Sequence, residues 1–190
     1  EAKNLFLKAG MNFGENDMQR LQASISRFNL TGKGNYTGVN ADRAAGLTAT
    51  AVRGTPLGSL TEFNDFDQVQ LQYRHDDLFG GTLVVDAYRA DQAMRYPAED
   101  GRDRQDPDIA PLGTLIDQSE VTSSKRGLRG SFSRPDIFGI SGLELSTGVD
   151  SVKDTTDQRL AITRRVWVPP MEYTSLAPYA QLSYDLDRLT

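Results

Sequence analysis

The sequence of 190 residues contains no cysteine, which excludes disulfides, thiol catalysis and thiolate metal sites and leaves the cellular compartment open. It also lacks any run of about eighteen apolar residues, so we expect no membrane-spanning helix. Acidic residues outnumber basic ones by 26 to 21, and no basic cluster is present, so nucleic acid is not expected as a partner. A β-rich protein remains possible in either water or a membrane, because a spanning strand needs an apolar residue only at every second position.

Motifs for covalent chemistry are also missing. No G-x-S-x-G elbow accompanies the serines, and His75 is the only histidine. Its neighbours Asp76 and Asp77 make a metal or acid–base role conceivable, but a position at a membrane boundary is the favoured interpretation. Four loop carboxylates could suit calcium, although their spacing is not that of an EF-hand and interleaved arginines favour a solvated loop: Asp100, Asp103, Asp106 and Asp108. We therefore expect a chain that is not an enzyme and holds no resident cofactor or metal.

Apolar and polar residues alternate with a period of two in seven segments, whereas no stretch carries an apolar stripe at helical spacing. The clearest segment is QVQLQYR at 68–74, where Val69, Leu71 and Tyr73 share one face and glutamines occupy the other. Residues that favour strands dominate all seven segments. The pattern predicts an all-β chain of seven consecutive antiparallel, up-and-down strands.

The connections alternate in length. Short ones are predicted at 14–17, 76–81, 133–140 and 185–188, and long ones at 31–63, 92–115 and 152–172. In an up-and-down topology, this order places all short turns at one end of the sheet and all long loops at the other. Outer-membrane β-barrels have this asymmetry, with short periplasmic turns and long extracellular loops. The alternation therefore favours an apolar face in contact with outer-membrane lipid and a polar face that lines a hydrated interior.

A sheet that spans lipid must close, because lipid offers no hydrogen bonds to its edges. The sequence starts and stops within strand-like patterns, so residues 1–190 are expected to be one part of a large transmembrane β-barrel that does not close alone. Two other classes stay open from the residues alone. One is a passive porin-like barrel, and the other is a secreted soluble β-rich module that binds glycans.

Three stretches carry a resemblance to a known family: RGTPLGSLTEFNDFDQVQLQYRHDDLFGGTLVVDAYRADQ (53–92), DPDIAPLGTLIDQSEVTSSKRGLRGSF (106–132) and RRVWVPPMEYTSLAPYAQLSYDLDRLT (164–190). They resemble the middle and late barrel of TonB-dependent outer-membrane receptors, particularly ferric-siderophore receptors. The resemblance implies a barrel of about 22 strands whose lumen holds a plug domain. It also implies a bacterial outer-membrane location and import of a ferric siderophore with energy delivered through TonB. The plug domain, the segment that contacts TonB and the closing terminal strand are not part of this sequence.

The resemblance also suggests where a ligand would bind. Siderophores present flat chelates, which suit aromatic faces and arginine side chains. The candidate ligand-binding residues are Tyr36, Arg95, Tyr96, Trp167 and Tyr173. Trp167 and Tyr173 could instead belong to the aromatic girdle at the membrane interface. The pair Arg95 and Tyr96, which is expected in the middle of a long loop, is the favoured contact.

Overall fold

A computed structural model describes residues 1–32, 36–38, 51–53, 60–96, 108 and 117–185. Within these ranges the chain forms nine strands: β1 (Ala2–Phe13), β2 (Gln19–Thr31), β3 (Tyr36–Gly38), β4 (Ala51–Arg53), β5 (Phe63–Leu78), β6 (Gly81–Arg95), β7 (Ser119–Arg134), β8 (Leu143–Leu160) and β9 (Val166–Tyr184). Two short 3-10 turns, Glu15–Asp17 and Ile137–Gly139, lie between strands. No helix in the described part of the chain has the length and hydropathy to cross a membrane.

Seven of the strands form one antiparallel sheet in the order β1-β2-β5-β6-β7-β8-β9, and β3 pairs with β4 in a separate hairpin. Each long strand therefore lies beside the next long strand of the chain. The prediction of seven consecutive antiparallel up-and-down strands is confirmed. The sheet is open within the described residues, with β1 and β9 at its edges.

Cross-strand register separates the side chains into two faces, because directly opposed residues of antiparallel strands point to the same side. One row of opposed residues, from β1 to β9, is Ala9, Ala23, Leu71, Ala87, Leu128, Ser151 and Leu176. The neighbouring row is Gly10, Gln22, Gln72, Asp86, Arg129, Asp150 and Ala177. We call the side of the first row the apolar face and the side of the second row the polar face.

The connection between β5 and β6 is a tight turn. Phe79 and Gly80 alone connect β5 to β6, and both have positive φ, at 53° and 76°. Two consecutive left-handed residues are typical of the type I′ hairpin turn. The predicted turn at 76–81 is therefore shorter than expected, and the predicted turn at 133–140 is observed at 135–142.

One of the predicted long connections is wrong. The chain was expected to form a loop over 152–172, but β8 continues to Leu160, β9 begins at Val166, and only residues 161–165 connect them. The segment 151–160, SVKDTTDQRL, is mostly polar at both its odd and its even positions, so alternation does not reveal it as a strand. The other two long connections are confirmed. Residues 32–62 connect β2 to β5, and residues 96–118 connect β6 to β7.

Candidate functional site

The apolar face is exposed. Leu71, Leu128 and Leu176 have 47%, 50% and 72% of their surface accessible, and among the described apolar residues only Ile137 and Leu160 are buried. A water-soluble sheet would cover such a face, because burying a leucine side chain contributes about 1.5–3 kcal/mol. The described sheet therefore presents a continuous apolar surface without a covering layer.

The apolar residues form a band with defined borders. On β5 it extends from Val69 to Tyr73, with Asp67 beyond one border and His75 beyond the other. Asp67 and His75 are about 26 Å apart along the strand at the usual rise of 3.3 Å per residue. The apolar belt of outer-membrane barrels is about 25 Å tall, which on a strand tilted by about 35–45° corresponds to about 30–35 Å along the strand, somewhat more than the distance between Asp67 and His75. We call these residues and their neighbours on the other long strands the apolar band.

The apolar band crosses the sheet obliquely. Its centre lies at Ala9 on β1 and at Thr147 on β8, whereas the residue of β8 in the same row as Ala9 is Ser151. The band thus shifts by four residues between these strands, a slope of about 30° at standard strand spacings. Strands of closed barrels tilt by about 35–45° from the barrel axis, so the slope has a similar magnitude.

The polar face carries two hydrogen-bonded clusters at the level of the apolar band. The side-chain amides of Gln70 and Gln72 donate to Asp86 Oδ1 at 3.2 and 2.8 Å. On the next pair of strands, the Arg129 guanidinium donates to Asp150 Oδ2 at 3.1 Å through Nε. Gln70 and Gln72 are half-buried, whereas Val69 and Leu71 beside them on the strand are exposed.

Two tyrosines cover glycines on the polar face. A Cβ added to Gly127 would lie 2.5 Å from the Tyr88 ring, and one added to Gly148 would lie 2.7 Å from the Tyr179 ring. An aromatic ring that lies over a strand glycine compensates for its missing side chain. These contacts fix the ring positions on the polar face.

A compact ionic cluster stands at the long-connection end of the sheet. Arg95, the last residue of β6, donates to Glu120 Oε1 at 2.8 Å and to the Thr61 carbonyl at 2.8 Å. Its guanidinium carbon lies 5.0 Å from the Phe63 ring centroid. Glu120 Oε2 also accepts a hydrogen bond from Arg164 at 2.8 Å. The Arg95 side chain is therefore held by partners within the chain.

Two buried polar residues just before β7, Asp117 and Gln118, bond to the neighbouring segments at this end of the sheet. The Gln118 side chain donates to the carbonyls of Leu60 and Tyr96, both at 2.9 Å. The Asp117 carboxylate accepts the backbone N–H groups of Ile162 and Thr163 at 2.8 and 3.1 Å. Together they join the start of β5, the end of β6 and the β8–β9 turn.

The five predicted ligand residues are not brought together. Arg95 and Tyr96 stand at the end of β6 rather than in mid-loop, whereas Trp167 and Tyr173 belong to β9, three strand spacings or about 14 Å away across the sheet. Tyr173 is also displaced along the strands, because its register leads through β8 and β7 to Ala90, five residues before Arg95. Tyr36 begins β3, outside the seven-stranded sheet. Tyr96 and Tyr173 are exposed, at 39% and 61%. Contact of these residues with a ligand stays a prediction.

The described residues include no group of three histidine, cysteine or acidic side chains that could hold a metal ion. The His75 ring accepts the Asp77 backbone N–H at 3.2 Å through Nδ1, an ordinary turn contact. Of the four loop carboxylates, Asp100, Asp103 and Asp106 lie outside the described residues.

The register aligns three basic residues that the sequence pattern does not single out. Arg89, Arg126 and Lys153 occupy opposed positions on the apolar face, at the border of the apolar band. On each strand, the cation lies an even number of positions from the apolar residues. The alternation in the sequence could therefore have placed all three cations on the apolar face.

No protein-family model matches the sequence, and no solved structure matches the chain significantly. The functional interpretation therefore rests on the geometry of the sheet, its two faces and its loop end, together with the sequence resemblance.

Proposed function

We propose that the chain forms part of the wall of a TonB-dependent outer-membrane receptor that imports ferric siderophores. The observation that carries the membrane part of this proposal is the combination of an exposed apolar band with a polar face whose side chains hydrogen-bond to one another. A soluble sheet would show the reverse arrangement. In lipid, the apolar band needs no protein cover, and the polar face lines the interior.

The two edge strands fit the same proposal. β1 and β9 leave their outer backbone groups unpaired within the described sheet. Each unsatisfied backbone group costs several kcal/mol in lipid, so further strands must pair with both edges in the membrane. We propose that they continue into a closed barrel of the size implied by the family resemblance.

The wall performs no covalent chemistry in this proposal. The hydrogen-bonded groups on the polar face, among them Gln72, Asp86 and Arg129, offer donors and acceptors to a plug domain in the lumen. Import would require some of these contacts to rearrange. Exposed aromatics at the long-connection end, with Tyr96 foremost, would contact the siderophore.

The cargo and the energy source come from the sequence resemblance, so the experiment must test them separately from membrane insertion. The full-length protein that carries this segment would be produced in a bacterial host without its own siderophore receptors. Ferric-siderophore uptake would then be measured with and without TonB.

The proposal predicts uptake only when TonB is present, together with a folded barrel that migrates faster on gels before heating than after. Uptake independent of TonB would contradict active import and favour the passive porin. A protein that remains soluble and monomeric without detergent would contradict the membrane location itself.

A further inference from the structure

The backbone of Tyr96 is held by two hydrogen bonds at the start of β7. Its N–H donates to the Ser119 carbonyl at 3.0 Å, and its own carbonyl accepts a hydrogen bond from Gln118 Nε2 at 2.9 Å. The pair Tyr96 and Ser119 follows the register of Arg95 and Glu120, so Tyr96 continues the ladder between β6 and β7. Tyr96 is therefore fixed like a residue of the sheet, although it is the first residue beyond the strand.

The Gln118 side chain that supports Tyr96 is itself fully used. It is completely buried, and Nε2 donates to the carbonyls of Leu60 and Tyr96 while Oε1 accepts the Leu60 N–H at 2.6 Å. The register between β5 and β6 reaches its last pair at Phe63 and Arg95. Beyond that pair, the Gln118 amide replaces the backbone ladder and connects the segment before β5 to the segment after β6.

The parity of β6 directs the Tyr96 ring toward the polar face. Asp86 lies on the polar face, and Tyr96 follows it by an even number of positions on the same ladder. Arg95 has the opposite parity, and its guanidinium is bound by Glu120. Of these two adjacent candidates, Tyr96 is thus the one whose exposed ring stands on the side of the interior.

We propose that Gln118 is a positioning residue for the siderophore, because it holds the backbone that carries the Tyr96 ring. This inference rests on the proposed function, and in particular on contact between Tyr96 and the flat chelate of the siderophore. A backbone that is already fixed loses no conformational entropy when the ligand binds, and pre-organised contacts therefore give tighter binding. Gln118 stays buried and does not itself contact the siderophore.

The test measures the affinity of the full-length protein in detergent for a ferric tris-catecholate and a ferric tris-hydroxamate, followed by fluorescence quenching. Gln118→Met keeps the length of the side chain without its amide, and Gln118→Glu keeps the oxygen that accepts the Leu60 N–H but not the donors. The matched control is Asp117→Asn. Asp117 is adjacent and equally buried, but its carboxylate accepts its hydrogen bonds from Ile162 and Thr163.

Both Gln118 variants are expected to weaken binding of the ferric complex about tenfold, since ordering one backbone position changes a binding constant by roughly that factor. Asp117→Asn should lower the melting temperature and leave the affinity within about twofold, because it removes contacts of the β8–β9 turn and none of Tyr96. If Asp117→Asn weakens binding as much as Gln118→Met, general destabilisation explains the loss and the positioning role is overturned.

A double-mutant cycle separates positioning from a structural effect elsewhere. In the Y96A background, Gln118→Met should change the affinity by less than about twofold, because no ring remains to be positioned. A tenfold loss in both backgrounds would overturn the proposal, since Gln118 would then act through another part of the site.

Hydrogen exchange at the Tyr96 amide, which donates to Ser119, gives a measurement without ligand. Gln118→Met should speed this exchange on the order of tenfold, and Asp117→Asn should leave it unchanged. Unchanged exchange in Gln118→Met, in a protein that binds one of the ferric complexes, would refute the positioning role alone. If the unaltered protein binds neither complex, the proposed function is refuted, and the inference that rests on it is refuted as well.

Discussion

Replacing Leu71 by arginine places a charge at the centre of the apolar band, and replacing Gln70 by arginine places the same charge on the opposite face. Leu71 has 47% of its surface exposed, and its directly opposed neighbours are Ala23 and Ala87. Alanines are too small to shield a guanidinium. If the apolar face meets lipid, Leu71→Arg must be much more damaging than Gln70→Arg.

The magnitude follows from the position of Leu71 in the apolar band. It lies four residues from Asp67 and four from His75, about 13 Å from either border along the strand. An arginine at the midplane of a barrel costs about 2–4 kcal/mol on the lipid side. Because alanine neighbours allow the side chain to bend toward the border, we expect about 2–3 kcal/mol for Leu71→Arg. Gln70→Arg lies near Asp86 and should cost less than about 1 kcal/mol.

The assay is denaturant unfolding of the full-length protein in phospholipid vesicles, followed by the loss of the fast-migrating folded band on gels. The measured quantity is the difference in unfolding free energy between the two variants. Both variants add one positive charge, and the two positions are adjacent in the sequence. Equal destabilisation, or a larger effect of Gln70→Arg, would refute the orientation of the faces. Leu71→Arg that improves solubility and stability in plain buffer would refute the membrane environment.

Three further predictions concern single positions. Gly127→Ala should cost about 1–3 kcal/mol in the same unfolding assay because its Cβ meets the Tyr88 ring, whereas Gly130→Ala, which has only a 3.9 Å contact, should cost less than half as much. Arg95→Ala should destabilise by about 1.5–3 kcal/mol, since it leaves a partly buried carboxylate without one of its cations, and stability unchanged within error would contradict its structural role. Phe79→Gly should raise the melting temperature, because Phe79 is 80% exposed and has a φ of 53°; a lower melting temperature would show that the ring has a partner.

Alternation was sufficient to predict the seven long strands, because most of them have a stretch in which only one parity is apolar, although β6 also carries Val84 and Tyr88 on its polar face. It failed above the apolar band, where 151–160 is polar on both faces and yet continues β8. There the strand is held by backbone pairing with β7 and β9, and its side chains need no apolar partner. The same reason explains why Arg95 was expected in a loop although it ends β6.

The loop-end contacts could not be predicted from local patterns at all. Gln118 bonds to Leu60 across 58 positions of sequence, and Asp117 bonds to Thr163 across 46. Such pairs depend on the register of several strands at once. The alignment of Arg89, Arg126 and Lys153 depends on the same register, although the face of each follows from parity alone.

The central claim is that the apolar band faces lipid and the polar face does not, and the absence of cysteine from the segment allows a direct test. Single cysteines introduced successively at positions 68–74 of the full-length protein would carry a spin label, and the protein would be reconstituted in vesicles. Accessibility would be measured to oxygen, which partitions into lipid, and to a water-soluble nickel complex. We expect a period of two, with oxygen favoured at Val69, Leu71 and Tyr73 and the nickel complex favoured at the positions between them. High nickel accessibility at all seven positions, or protection of the apolar positions from both reagents, would contradict it.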